Sequence, residues 1–113
     1  MFSFNISPAF AWLLVVGAGA FEIIWAVGLR SSEGLTKFWP SVITLAAMGA
    51  SVVLLGLSLK AIPLGTAYAV WGGIGTVGVA ILGVLLYDEP ATFMRIASIA
   101  LITLGIVGLK LVD

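Results

Sequence analysis

The sequence predicts an all-α membrane protein with four transmembrane helices per chain. Of its 113 residues, 62% are hydrophobic and only 9% are charged, and the mean hydropathy is +1.27. In a soluble domain about a quarter of the residues are charged, because its surface faces water. The few charged residues divide the chain into four long apolar segments. We therefore expect a single integral membrane domain over residues 1–113, which excludes a soluble enzyme.

The first two predicted helices flank a polar loop. Sequence that is uncharged except at Glu22 predicts helix one over residues 9–29, with Pro8 in its first turn. The loop RSSEGLTK follows, and the next uncharged stretch predicts helix two over residues 38–59. About 20 apolar residues are enough to span the hydrocarbon core of a bilayer. Both segments meet that length.

The second two predicted helices are separated by an Asp-Glu-Pro turn. Pro63 disfavours helical geometry at the residue before it, so helix three is predicted over residues 65–87. Helix four is predicted over residues 91–110, with the Arg95 and Lys110 side chains extending to the two headgroup regions. We expect the acidic turn to cap or precede helix four and assign it no chemistry.

Positive charges in the short loops specify the orientation only weakly. Lys60 and Lys110 lie on the side of the termini, whereas Arg30, Lys37 and Arg95 lie on the opposite side. A difference of one positive charge hardly selects an orientation. We expect copies to insert both ways and to form an antiparallel homodimer, which resembles the inverted repeats of transporters. A parallel dimer with one orientation is the alternative.

Glu22 is the ionisable residue that lies deep inside a predicted span. A charge near the bilayer midplane costs roughly 2.5–3.5 kcal/mol on insertion scales, and no Lys or Arg lies at a matching depth in another helix. A proton or an external cation must therefore neutralise this carboxylate. The position indicates proton-coupled antiport of a cation. A permanently protonated carboxyl that donates a hydrogen bond between helices is the alternative.

Four further residues are candidates for the same binding site. Trp25 lies one turn from Glu22, and its indole N–H can orient a carboxylate. Ser51 is the centre of a weakly polar stripe on helix two, although interhelical packing explains that stripe equally well. Tyr68 and Trp71 share a face of helix three and can bound a cation site. Membrane packing or anchoring is the alternative for both Trp residues.

Glycines indicate a hinge and a dimer contact. Gly73 and Gly75 weaken helix three and predict a hinge for alternating access. Gly105 and Gly108 predict packing between subunits along helix four. Cys and His are absent from the sequence, so we expect no metal site and no cofactor. Five basic residues balance five acidic ones, which argues against nucleic acid as a partner.

Several motifs together resemble the small multidrug resistance family. The run FEIIWA from Phe21, the run KAIPLGTAYAVW from Lys60, and Glu89-Pro90 are similar to the guanidinium exporter subtype of that family. Trp25 discriminates most, because the polyaromatic-drug exporters of the family commonly have a small residue at this position.

The resemblance implies an antiparallel homodimer in the bacterial inner membrane that exports guanidinium in exchange for protons. It implies one polar network of Glu22, Trp25, Ser51, Tyr68 and Trp71, with two copies of the Glu at a shared site. It also implies a kink of helix three at Gly73 and Gly75, and dimerisation through the fourth helix at Gly105 and Gly108. Gly72 departs from the subtype, which usually has Thr there.

Guanidinium fits a carboxylate site on chemical grounds. The ion is planar, presents paired N–H donors that match a carboxylate, and is less strongly hydrated than an ammonium ion. Two shared carboxylates would exchange up to two protons for one cation, which makes transport electrogenic. Two alternatives remain open: a broad exporter of quaternary ammonium or polyaromatic cations, and a partner-dependent membrane subunit with a structural Glu22.

Overall fold

The described part of the chain contains four α-helices. A computed structural model describes residues 6–112, so residues 1–5 and 113 of the predicted domain lie outside the described residues. Each helix is long and apolar enough to cross a membrane. The protein is therefore an all-helical, multi-pass membrane protein. In chain order, the helices are α1 (Pro8–Ser31), α2 (Phe38–Ser58), α3 (Leu64–Tyr87) and α4 (Phe93–Val112).

Local sequence determines the helix ends, which differ from the predicted ones by at most two residues. At the start of α1, the Ser7 side chain accepts a hydrogen bond from the Phe10 N–H at 3.2 Å, and Pro8 occupies the first turn. This arrangement satisfies an N–H group that the helix itself leaves without a partner. The α1 helix continues to Ser31, and the loop residues after it form successive hydrogen-bonded turns.

The acidic turn precedes α4 but does not cap it. Asp88 has a left-handed backbone with φ 54° and ends α3, and the Glu89 N–H donates to the Gly83 carbonyl oxygen at 3.2 Å. The N–H of Arg95 instead donates to Oγ1 of Thr92 at 3.2 Å. Because the capping hydroxyl lies at this position, α4 begins two residues later than predicted.

The α1 helix is central to the packing. It lies against both α2 and α3, whereas α4 packs against α3. The apolar core lies near the end of the bundle where α1 and α3 begin, on the side of the membrane that the two termini share. It consists of Ala11, Val15, Ile62, Ala67 and Val70, all buried. The polar side chains of Glu22 and Trp25 lie further along α1.

Reciprocal contacts between glycine and isoleucine hold α1 against α3. A Cβ on Gly19 would lie 2.6 Å from Cγ2 of Ile74, and a Cβ on Gly78 would overlap Ile23. Each Ile fills the space above a glycine of the opposing helix, so the two backbones approach closely. Both residue numbers rise by four from one pair to the next, so α1 and α3 are parallel and in a defined register.

We predict that Gly19→Ala destabilises the protein by about 1–3 kcal/mol, because the added methyl group must displace the stiff, branched side chain of Ile74. Gly56→Ala is the matched control, since no atom lies within 4 Å of a Cβ at Gly56. Reversible unfolding in detergent, followed by Trp fluorescence, measures both variants. Equal stability of the two variants would contradict the glycine contact.

Candidate functional site

Ser51 joins three helices in the middle of the bundle. Its side chain is fully buried. The hydroxyl Oγ donates to the carbonyl oxygen of Ala18 in α1 at 2.7 Å and accepts from Nε1 of Trp71 in α3 at 2.9 Å. One hydroxyl of α2 thus satisfies hydrogen bonds to both neighbouring helices. These two bonds fix the Trp71 ring in the bundle interior.

The other hydroxyls of the α2 stripe form bonds within their own helix. Thr44 and Ser58 are also fully buried. Oγ1 of Thr44 donates to the Pro40 carbonyl oxygen at 2.7 Å, and Oγ of Ser58 donates to the Leu55 carbonyl oxygen at 2.6 Å. Among the three stripe residues, Ser51 is therefore the one that bridges helices, a distinction that the sequence spacing does not reveal.

Glu22 lies one turn beyond Ala18, the α1 residue that bonds to Ser51, and packs against α3. A Cβ at Gly75 would overlap the Glu22 carboxylate, so the glycine provides the space that the carboxylate occupies. Oε2 of Glu22 is buried and has no hydrogen-bond partner among residues 6–112. A buried polar atom without a partner carries a large free-energy cost. A bound proton or a cation removes that cost, which makes this oxygen the candidate ligand-binding atom.

Trp25 supplies a second unpaired polar group beside the carboxylate. Its Nε1 is buried and has no acceptor in the described part of the chain. Trp25 therefore does not donate to Glu22 in the described chain, where the carboxylate lies against Gly75, and its role in orienting a carboxylate stays a prediction. A free acceptor and a free donor thus lie one turn apart on α1.

Tyr68 lies at the edge of the Trp71 ring. The ring centroids are 5.2 Å apart and the planes are inclined by 63°, an edge-to-face arrangement. Trp71 is anchored by Ser51, whereas Tyr68 is 59% exposed. Tyr68 thus contacts the Ser51 and Trp71 pair through the Trp71 ring, and its exposed surface is open to lipid or to another chain.

The two predicted hinge glycines make different contacts. The α3 helix is continuous through both positions. A Cβ on Gly73 would lie 2.8 Å from Cδ1 of Ile106, so this glycine lets α4 approach α3. Gly75 accommodates the Glu22 carboxylate instead. Any bending at these glycines would move α4 and the carboxylate contact together, and the hinge stays a prediction.

The α4 helix presents an open face. A Cβ at Gly105 or Gly108 would meet no atom within 4 Å. No residue of α4 is buried by the described chain, and Leu101 and Leu104 are 70% and 66% exposed. The predicted dimer-packing glycines therefore lie on a surface that is free to contact lipid or a second subunit.

Charged residues form a cluster where α1 and α3 end, which the sequence does not predict. The Glu89 carboxylate lies against Gly83, where a Cβ would overlap it, and forms an ion pair with Arg95. The guanidinium carbon of Arg30 lies 3.9 Å from the centroid of the Tyr87 ring. The charged residues themselves are the signal in the sequence, although their positions predict only loops and headgroup contacts.

Comparisons with known proteins agree with this architecture. The family model described as Small Multidrug Resistance protein matches residues 10–102. The guanidinium exporter of Yersinia pestis is 56% identical over 101 residues, which cover 89% of this chain and 97% of the relative. The guanidinium exporter of Escherichia coli (strain K12) is 54% identical, with 89% and 96% of the two chains covered. That of Proteus vulgaris is 48% identical, with 89% and 97% covered. The chain therefore belongs to the small multidrug resistance family.

Proposed function

We propose that the protein is a proton-coupled antiporter that exports guanidinium and small guanidinyl cations across the bacterial inner membrane. The observation that carries the proposal is the buried, unpartnered Oε2 of Glu22 inside a membrane-spanning helix. Such an oxygen binds either a proton or a cation. The similarity to bacterial guanidinium exporters supports the substrate class and the location.

The site can recognise guanidinium through its own chemistry. Guanidinium offers only donors, and the Glu22 carboxylate offers only acceptors when ionised. Trp25 contributes a free N–H that can hold a second carboxylate oxygen, and aromatic faces attract a flat cation. The bond from Trp71 to Ser51 fixes one such ring beside the site. A preorganised ring loses little conformational entropy when the cation binds.

Proton and substrate would occupy the carboxylate in alternation. A protonated Glu22 is neutral and has no charge to desolvate, so the substrate-free site can reorient across the membrane. An ionised Glu22 requires the cation before it becomes stable at this depth. Because one group binds both ligands, the downhill proton gradient drives export of the cation.

An antiparallel homodimer would complete the transport path. The face of α4 that carries Gly105 and Gly108 is open in the described chain, which leaves room for a second copy. Glu22 of each subunit would then belong to one shared site, and up to two protons would exchange for one monovalent cation. This stoichiometry makes transport electrogenic.

Glu22→Gln should abolish guanidinium-driven currents in proteoliposomes while the protein remains a folded dimer, because the amide cannot alternate between a neutral and a charged form. Glu33→Gln is the control, since Glu33 is an exposed loop carboxylate paired with Lys37 at 3.5 Å. Capacitive currents after rapid addition of guanidinium measure transport. Currents that persist in the Glu22 variant would refute the assignment.

The same recording tests the substrate class. Wild-type protein should respond to guanidinium and not to a bulky aromatic cation, because two Trp25 side chains narrow the shared site. A response to the bulky cation would assign the protein to the broad drug exporters. Silence with both ligands, from a verified folded dimer, would favour the partner-dependent subunit.

Ser51→Ala should destabilise the protein by about 1–3 kcal/mol and reduce guanidinium transport, because Nε1 of Trp71 loses its acceptor. Ser58→Ala is the matched control, since Ser58 is equally buried on the same helix but bonds within it. Unfolding in detergent and guanidinium currents are measured for both. A larger effect of the Ser58 variant would count against the bridging role.

Thr36→Cys should react from both sides of the membrane. The sequence has no Cys, and Thr36 is an exposed loop residue whose replacement leaves the charge balance unchanged. With a membrane-impermeant maleimide, about half of the copies should label in intact cells and the rest after permeabilisation, because the charge bias is small. Labelling of nearly all or none of the copies in intact cells would show a single orientation.

A further inference from the structure

A cleft of about 140 Å³, apolar inside and with polar side chains at its outer end, opens where α1 and α3 end, away from the apolar core. Arg30, Tyr87 and Glu89 line its outer part, and Ala26 and Val79 line its inner part. The side chains of Glu89 and its partner Arg95 are 40% and 32% exposed, so both are reachable from water. The cleft therefore joins the aqueous surface to the interior between the two helices.

The inner end of the cleft adjoins the Glu22 site. Ala26 lies one turn beyond Glu22 on α1, and Val79 lies one turn beyond Gly75 on α3. The glycine that holds the Glu22 carboxylate and the glycine that holds the Glu89 carboxylate are eight residues apart, which corresponds to roughly 12 Å along the helix. The cleft therefore begins at Glu89 and ends about one turn short of the Glu22 carboxylate, where Ile23 packs against Gly78.

Both binding elements of the outer cleft already hold a guanidinium group. The Glu89 carboxylate forms an ion pair with the guanidinium of Arg95. The Tyr87 ring carries the guanidinium of Arg30, 3.9 Å above its centroid. A carboxylate and an aromatic face are the two groups that recognise this planar cation. The chemistry that holds these arginines is the chemistry that a free guanidinium ion requires.

We infer that Glu89 binds guanidinium at the mouth of the transport path and relays it to Glu22. The arriving cation displaces Arg95 from the Glu89 carboxylate, passes on to the Glu22 site, and leaves Glu89 to pair with Arg95 again. The inference rests on the proposed function. In an antiparallel dimer, the two clefts would open on opposite sides, so the same residue serves capture and release.

Replacing Arg95 by the substrate costs little free energy, because one guanidinium group takes the place of another on the Glu89 carboxylate. One guanidinium leaves the carboxylate as another arrives, so the hydrogen-bonding pattern at Glu89 is conserved. The displaced Arg95 side chain is partly exposed and is hydrated as it leaves. Ion pairs in such surroundings are weak, so the substrate can compete with the tethered arginine. A fully buried pair would not permit this exchange.

Two substitutions with opposite expected effects test the relay. Glu89→Gln should raise the KM for guanidinium about threefold or more with little change in the maximal rate, because the capturing charge is lost while Glu22 remains. Arg95→Gln should lower the KM, because the competing guanidinium is removed. Initial guanidinium fluxes into proteoliposomes at fixed ionic strength provide both parameters.

Two control variants separate the relay from general surface charge. Asp88→Asn removes a neighbouring carboxylate at a position whose left-handed backbone suits Asn. Lys37→Gln removes a positive charge from the same side of the bundle. Neither change should alter the KM for guanidinium. An Asp88 variant that matches the Glu89 variant, or a Lys37 variant that matches the Arg95 variant, would overturn the relay in favour of a simple surface potential.

A purely structural ion pair gives a different pattern. In that case Glu89→Gln and Arg95→Gln would change the KM in the same direction and lower the unfolding temperature equally. Arg95→Lys is a variant that keeps the positive charge but loses the planar guanidinium, so it guards against loss of folding. The relay predicts that it lowers the KM less than Arg95→Gln does. Failure of the proposed function is distinguishable, because wild-type protein would then show no guanidinium flux at all.

Discussion

A carboxylate in the middle of a membrane-spanning helix is the constraint on which this structure depends. Oε2 of Glu22 is buried and lacks a partner in the described chain, and at that depth an ionised oxygen must be neutralised by something that arrives from outside the helix. The neighbouring groups leave it available. Gly75 offers space but no side-chain hydrogen bond, and the indole N–H of Trp25 has no acceptor in the described chain. A carboxylate with partners inside the chain would leave no oxygen free for the proton and cation that we propose it binds.

Close packing of α1 against α3 makes this arrangement possible. The pairs Gly19 with Ile74 and Ile23 with Gly78 bring the two backbones together and define their register. The same register places the Glu22 carboxylate against a glycine. Because the helices are parallel, successive turns of α1 meet successive turns of α3, from the apolar core to the aqueous surface. The cleft at the Glu89 end follows from the same alignment.

The described chain leaves much of its apolar surface uncovered. Its apolar core is confined to one end, α4 leaves its residues exposed, and Tyr68 extends outward from the interior layer. A soluble protein with this much apolar surface would aggregate, but in a bilayer the surface can face lipid or a second copy. Internal polar bonds are accordingly few and specific, and Ser51 provides two of them.

The sequence by itself determined the four spans and the position of Glu22 deep inside one of them, because hydropathy and charge depth follow from neighbouring residues and need no knowledge of the fold. It did not determine which hydroxyl of the α2 stripe bridges helices. It also did not determine whether Trp25 donates to Glu22 within one chain, and it assigned no role to Glu89. Those outcomes depend on how α1, α2 and α3 are aligned and rotated against one another. Only the tertiary structure decides that alignment, because the partner of a side chain between helices lies far away in the sequence.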